Sequence, residues 1–320
     1  MSRPRSYDAL IVGGGPAGLS AALILGRCRR RVILCDTGRP RNAASRALHG
    51  FLTRDGIAPA ELLRIARRQL ARYGTELLRA EVRDARRTRS GFEVVLAGGR
   101  RLTARTLLIA TGVVDRLPPV EGLPPLYGRA VFHCPYCDGW EVANRPLAVY
   151  GRGRSGMGLA LALTTWSRKV ALICDGRARL HAAERDRLTE RGIPIFEGKV
   201  LRLEPRRAGL ELVFGDGTRL ARRALFFSTG QDMCSDLPKR LGCRFTRKGA
   251  VRTDRLERTG VPGLYVAGDA SHDVQLAIVA AAEGAKAAFA INRELQEEEG
   301  LSVDAAFHGK QRPRKAPVRR

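Results

Sequence analysis

No stretch of this sequence approaches the roughly 18 consecutive apolar residues that a membrane-spanning helix needs. The opening, Met1 to Asp8, is short and basic and lacks the cleavable apolar segment of a secretory signal. The chain is therefore expected in the cytoplasm, with no membrane partner. Lysine is scarce: of 57 basic residues only 7 are Lys, which leaves 50 Arg. They are scattered through every segment, so the formal charge of +25 reads as a compositional bias toward Arg and not as a specific nucleic-acid site. The one true cluster is Lys310, Arg312, Arg314, Lys315, Arg319 and Arg320, alternating with prolines, which makes 297–320 a basic, solvated and disordered tail. A second cysteine pair is also missing. Of the seven cysteines (Cys28, Cys35, Cys134, Cys137, Cys174, Cys234 and Cys243), only Cys134 and Cys137 have C-x-x-C spacing. Structural zinc would need two further ligands at comparable spacing, so no metal site is expected.

What is present is alternation. A chain of 320 residues that is 44% hydrophobic and rich in glycine has room for two α/β domains. Tyr7–Val12 reads as a short strand, followed at once by a glycine turn and a helix to about Arg29; Arg31–Cys35 is the next buried strand and ends at Asp36. In Gly13-x-Gly15-x-x-Gly18, Gly13 permits the tight turn, Gly15 lets the backbone approach a pyrophosphate, and Gly18 allows close helix–strand packing. The helix N-terminus offers free N–H groups to phosphate, and Asp36, 23 residues after Gly13, is placed to accept ribose hydroxyls. A polar segment leads to a helix from Pro59 to about Tyr73, then strands at Thr75–Ala85, Phe92–Leu96 and Arg101–Ile109. After the proline-rich Leu117–Pro125 the pattern repeats: strand Pro146–Tyr150, the turn Gly151-x-Gly153-x-x-Gly156, a helix, and strand Lys169–Cys174. Here Asp175 is placed to hold ribose hydroxyls, favouring NAD, whereas Arg177 or Arg179 is placed to meet a 2′-phosphate, favouring NADP. Leu264–Ala267 and a long Ala-rich helix from Val274 lack a sheet of their own. The expected fold is thus α/β, with two doubly wound Rossmann-like nucleotide-binding domains, the second inserted in the first. The boundaries are 1–116 and 249–296 for the first domain and 117–248 for the second.

The third constellation is His133-Cys134-Pro135-Tyr136-Cys137-Asp138-Gly139. Two cysteines three apart can close a small disulfide ring, and a lone C-x-x-C in an α/β chain points to redox chemistry. Thiolate is the reactive form, and His133 and Asp138 flank the pair as acid–base groups.

These motifs together resemble the low-molecular-weight thioredoxin reductase family over residues 6 to 296. The matching stretches are GGGPAGLSAA, LIATG, C-x-x-C-D-G, the second glycine turn, and GLYVAGDA followed by QLAIVAAAEGAKAA. The resemblance implies a flavin-dependent disulfide oxidoreductase, a homodimer, with FAD on Gly13, Gly15, Gly18 and Asp36. It places a nicotinamide cofactor, NAD(P)H, on Gly151, Gly153 and Gly156. Cys137 is expected against the flavin, Cys134 as the interchange thiol, and Asp138 as proton donor and acceptor. Asp269 is expected at the ribityl or phosphate portion, and the helix near Gln275 aims its N-terminus at the flavin's pyrimidine edge.

The departures from that family define the rival readings. The family's His-Arg-Arg stretch after the second nucleotide unit is replaced by Cys174-Asp175-Gly176-Arg177, which puts NADPH preference in doubt. The pair is C-P-Y-C, not C-A-T-C, and together with His49–Gly56 (HGFLTRDG) it resembles a branch of small-molecule dithiol oxidases that pass electrons to oxygen. The expected partner is accordingly a thioredoxin-like protein or a small-molecule dithiol or disulfide. A flavin-containing redox sensor is the third reading.

Overall fold

A computed structural model describes residues 6–271 and 274–301. Of the tail expected over 297–320, Glu297 and Glu298 instead close the last helix, and 302–320 lie outside the described residues.

The first sheet is built around two largely apolar runs. Tyr7–Val12 pairs in parallel with Val32–Asp36 on one side and with Arg101–Ile109 on the other. Side chains on a strand alternate between faces. Ala9 and Ile11 accordingly pack into one core with the Pro16–Arg27 helix, while Leu10 and Val12 pack into the other with Phe92, Val94 and Leu102. Burial on both faces explains why these strands read as continuous hydrophobic runs. The helix begins with Pro16 at its first turn and Gly15 as N-cap, the usual place for a residue whose N–H is not needed.

Thr75–Ala85, expected as one strand, is two. Glu76–Arg79 pairs in parallel with Val32–Asp36, and Val82–Thr88 pairs antiparallel with Gly91–Leu96. The two pieces lie at opposite edges of the seven-stranded sheet. The Ala80 N–H donates to the Asp36 carbonyl at 3.0 Å, which closes the parallel ladder and releases the chain to the far edge.

Leu264–Val266 pairs in parallel with the C-terminal half of Arg101–Ile109, so the first sheet is completed by a strand from near the end of the chain. The following helix, Ala277–Glu298, packs on Pro16–Arg27. Their approach is very close: a Cβ on Gly284 would lie 1.9 Å from the Ala17 carbonyl oxygen.

Between these halves sits a second parallel sheet. Its strands are Ile195–Phe196, Val170–Ile173, Leu147–Tyr150, Ala224–Phe227 and Val131–Phe132, in that order, with an antiparallel three-stranded sheet over 200–222 beside it. The fold is therefore two doubly wound nucleotide-binding units, the second inserted in the first. The two crossings between units, Val113–Asp115 and Gln231–Met233, pair with each other as an antiparallel ribbon. Beyond the return crossing, Leu237, Cys243 and Val251 are buried in the first unit's core. Among the described residues no helix is long and apolar enough to cross a membrane.

Candidate active site

A cleft of about 990 Å³ runs from the first glycine turn to the cysteine pair, lined by Gly13, Gly15, Asp36, Asp115, Cys137, Asp138, Asp269 and Gln275 among others. Each part of it has a local cause. Gly13 has φ +109°, and a Cβ on Gly18 would lie 1.9 Å from the Gly13 carbonyl oxygen, so both glycines are demanded by the turn itself. Gly15 differs: a Cβ there would meet no protein atom within 4 Å, only the open cleft. The Asp36 carboxylate accepts from the Gly14 N–H at 3.1 Å and from Arg67 at 3.0 Å, which holds it at the end of its strand. Thr111 Oγ1 is buried without a hydrogen-bond partner beside this turn. Open space at Gly15, a free hydroxyl, a fixed acid and a helix N-terminus suit the pyrophosphate and ribose of a dinucleotide such as FAD. The helix Ala277–Glu298 also brings its first turn, Ala277 and Ala280, to the cleft.

At the other end, Cys134 and Cys137 form a disulfide with Cα atoms 5.3 Å apart. Cys134 is the N-cap of the one-turn helix Pro135–Asp138, which projects Cys137 and Asp138 into the cleft while Cys134 stays off its lining. Burial pushes the Asp138 carboxyl up to about 7; the nearby Glu141 charge adds to this, and His49 opposes it. An acid with that value can both give and take a proton near neutral pH. His133, adjacent to Cys134 in sequence, lines the same cleft and turns its ring toward Tyr127 and Asp115. Its Nδ1 lies 3.3 Å from the Tyr127 hydroxyl and 3.7 Å from Asp115, and burial pulls its pKa below the ordinary imidazole value, with Asp115 opposing.

Sequence reasoning missed the residue at the centre of the cleft. The Arg41 guanidinium donates to Asp115 (3.0 and 2.5 Å), Asp269 (2.7 Å), Gln275 (2.8 Å) and Gln231 (3.3 Å). Asp115 also accepts from Tyr127 at 2.7 Å. Burial alone would raise the Asp115 carboxyl, yet Arg41, together with His133 and Tyr127, holds it below the usual carboxylate range. One guanidinium thus ties the first unit, both crossings and, through Asp115, the second unit. No periodicity marks it; only its place in a polar loop after the dinucleotide unit distinguishes it in the sequence.

The second glycine turn lies outside this cleft. A Cβ on Gly151 would lie 2.3 Å from Ser228 Oγ, and one on Gly156 would lie 2.6 Å from the Gly151 carbonyl carbon, so these glycines serve packing. Gly153 has φ +56°, a left-handed turn position. Asp175, expected to hold ribose hydroxyls, is buried and committed inside the protein. It accepts from Tyr150 (2.7 Å), Lys199 (3.1 Å) and the Val200 N–H (2.9 Å), and these bonds keep it ionised against the cost of burial. Arg152 donates to the carbonyls of Cys174 and Asp175 at the end of that strand, while Arg177 is exposed. The residues of this turn therefore do not fit a ribose-gripping NAD site of the kind expected. Among the described residues no group of His, Cys, Asp and Glu is arranged to hold a metal.

Comparison with known proteins agrees with this geometry. Residues 7–284 match the model of the pyridine nucleotide-disulphide oxidoreductase family. The chain is 30% identical over 332 residues to a probable thioredoxin reductase of Arthroderma benhamiae, covering 91% of this chain and 81% of that one. The crystal structure of HlmI superposes with a TM-score of 0.88 at 36% identity, covering 94% of this chain and 96% of the other. A putative thioredoxin reductase TrxB from Bacillus anthracis gives 0.86 at 30% identity, covering 92% and 99%. A family match across most of the chain, a redox-active C-x-x-C beside a dinucleotide cleft, and these relatives lead to one conclusion: the chain belongs to the pyridine nucleotide-disulphide oxidoreductase family, as a flavin-dependent disulfide oxidoreductase of thioredoxin-reductase type.

Proposed function

We propose that electrons move between FAD held in the main cleft and the Cys134–Cys137 pair, and from there to an external disulfide or from an external dithiol. The observation that carries this reading is that Cys137 and Asp138 line the same cleft as Gly13, Gly15 and Asp36. FAD, when bound, supplies a two-electron donor and acceptor beside the cysteines. This chain's own residues do the rest. Gly15 admits the pyrophosphate, Asp36 takes the ribose, and Asp269 with Gln275 faces the flavin portion. Cys137 meets the flavin, Cys134 meets substrate, and Asp138 exchanges the proton at Cys137 Sγ. The first unit comprises 1–116 and the chain from the return crossing to about 296. We move its second boundary from 249 to about 231, because Leu237 and Cys243 pack in that unit's core. A homodimer in the cytoplasm completes the reading.

The electron partner is tested by anaerobic flavin spectra recorded with NADH, NADPH and dithiothreitol in turn. Bleaching by NAD(P)H makes the protein a reductase of thioredoxin-like or small disulfides. Bleaching by the dithiol alone, followed by peroxide formation on admitting air, makes it a dithiol oxidase. Both readings fit the same cysteine pair; for the first, the exposed Arg177 and Arg179 are the side chains left to meet a 2′-phosphate. Protein that purifies without flavin and binds none on addition sinks both.

Asp138 also ties stability to pH. Its pKa is raised in the folded protein to about 7 from 3.8, so between these values the folded state holds a proton that the unfolded chain has lost. Stability is therefore highest below pH 3.8 as far as this group is concerned and falls as pH rises toward 7. Asp138→Asn removes the effect. The oxidised variant should be more stable than wild type at pH 8 by on the order of 1–2 kcal/mol, with no gain at low pH. Equal melting shifts at both pH values would show that Asp138 is not perturbed.

A further inference from the structure

The loop 48–57 of the first unit is a closed, rigid device that reaches the second unit. Leu48 and Ile57 form an antiparallel bridge, the Gly56 N–H donates to the Leu48 carbonyl at 2.9 Å, and the Gly50 N–H donates to Asp55 at 2.7 Å. The loop presents His49. Its Nδ1 lies 3.6 Å from Asp55, and its Nε2 lies 3.5 Å from Glu141, on the turn that follows the cysteine helix. His49 lines the same cleft as Cys137 and Asp138. Its side chain is 23% exposed, so it stands at the rim where water and substrate arrive. The exposed side chains Leu52, on this loop, and Tyr136 and Trp140, around the cysteines, give that rim an apolar character. The charged groups facing His49 are Asp55 from its own loop and Glu141 and Asp138 from the second unit; Arg54 turns back to the Thr53 carbonyl.

Disulfide exchange needs proton transfer at the departing substrate sulfur as well as at the protein's own cysteines. Asp138 is on the Cys137 side. His133, the obvious candidate for the substrate sulfur, is committed to Tyr127 and Asp115. We propose that His49, delivered by the first unit and oriented by Asp55, is the second acid–base residue of the exchange, serving the sulfur of the substrate. In the reducing direction the Cys134 thiolate attacks one sulfur of the substrate disulfide and the substrate S–S bond breaks. The departing sulfur leaves as a thiolate and takes a proton from His49. The Cys137 thiolate then attacks Cys134 Sγ, closing the protein disulfide and expelling the second substrate thiolate, which is protonated in turn. One substrate disulfide is reduced to a dithiol, and one protein dithiol is oxidised; the oxidising direction is the reverse, with His49 as base.

This inference rests on the disulfide-exchange reading, and the test separates the two. Wild type and His49→Gln are reduced with dithiothreitol, freed of reductant anaerobically, and mixed in single turnover with 2-hydroxyethyl disulfide or with 5,5′-dithiobis(2-nitrobenzoate). An alkyl thiolate is a poor leaving group and needs the proton, whereas the aromatic thiolate leaves without one. His49→Gln should slow the alkyl exchange about 10- to 100-fold and flatten its pH profile, while the aromatic exchange stays within about twofold. Equal slowing with both disulfides, or no slowing with either, overturns the role of His49. Wild-type protein that exchanges with neither faster than a free thiol overturns the disulfide-exchange reading itself.

Discussion

Cys134→Ser and Cys137→Ser should each lower disulfide turnover roughly a thousandfold or more, because exchange without a resolving partner stops at the mixed disulfide. The two variants should differ in spectrum. In Cys134→Ser the remaining thiol, Cys137, lies in the cleft lining together with Gly13 and Asp36. It should produce a broad long-wavelength charge-transfer band with oxidised FAD. Of the pair, Cys137→Ser leaves Cys134, which is the N-cap of its helix and stays off that lining, so the band should be missing. That variant should still trap a substrate thiol as a stable mixed disulfide, visible by mass. Finding the band in Cys137→Ser and not in Cys134→Ser would reverse the assignment of the two sulfurs.

The glycine turn allows a comparably large effect to be divided between fold and cofactor. Gly18→Val forces a Cβ to 1.9 Å from a backbone oxygen, with no flexible side chain to give way. It should cost about 3 kcal/mol or more and yield little soluble protein. Gly15→Val adds atoms where the protein has none within 4 Å, at an N-cap of φ −77° that any residue adopts. It should fold with a loss of about 1 kcal/mol or less. Its cost falls on the dinucleotide, whose pyrophosphate loses the close backbone approach, and FAD affinity should drop roughly a hundredfold, or about 2.7 kcal/mol. Circular dichroism and flavin absorbance after purification separate the two variants. A Gly15→Val protein as yellow as wild type would remove the main cleft as the FAD site.

The features legible in the sequence are those whose physical demands are local. Gly13 and Gly18 are forced by one turn, and the spacing to Asp36 is fixed by a helix and a strand, so the Asp36 carboxylate stands beside the turn, 3.1 Å from the Gly14 nitrogen. The inserted topology was readable because Leu264–Val266 had no partner strands nearby in sequence. The Arg41 knot was not readable, since it gathers residues 41, 115, 231, 269 and 275 from four distant passages and no periodicity records such a meeting. Sequence adjacency pointed to His133 as an acid–base group; it does line the cleft, but that Tyr127 and Asp115 are its neighbours there could not be read from adjacency. Asp175 shows the same limit. It stands where a ribose-binding acid belongs, and only the three-dimensional positions of Tyr150, Lys199 and Val200 reveal that its oxygens are already taken.

Among the described residues, the strand and helix that complete the first unit are also the last to be made. On a ribosome adding about 5–20 residues per second, Tyr7–Val12 emerges some 10–50 s before Leu264–Val266 exists to complete its sheet. The second unit, whose strands span 131–227, has all its partners long before that. During the interval the inner face of Pro16–Arg27 waits for the helix bearing Gly284, and the turn at Gly13–Gly18 lacks one of its supporting walls. A nascent or truncated chain ending before residue 264 therefore carries a finished second unit on an unfinished first one, and it holds its cysteines without a place for flavin. Cofactor uptake becomes a checkpoint on synthesis through the helix Ala277–Glu298, and only chains that include it acquire redox chemistry.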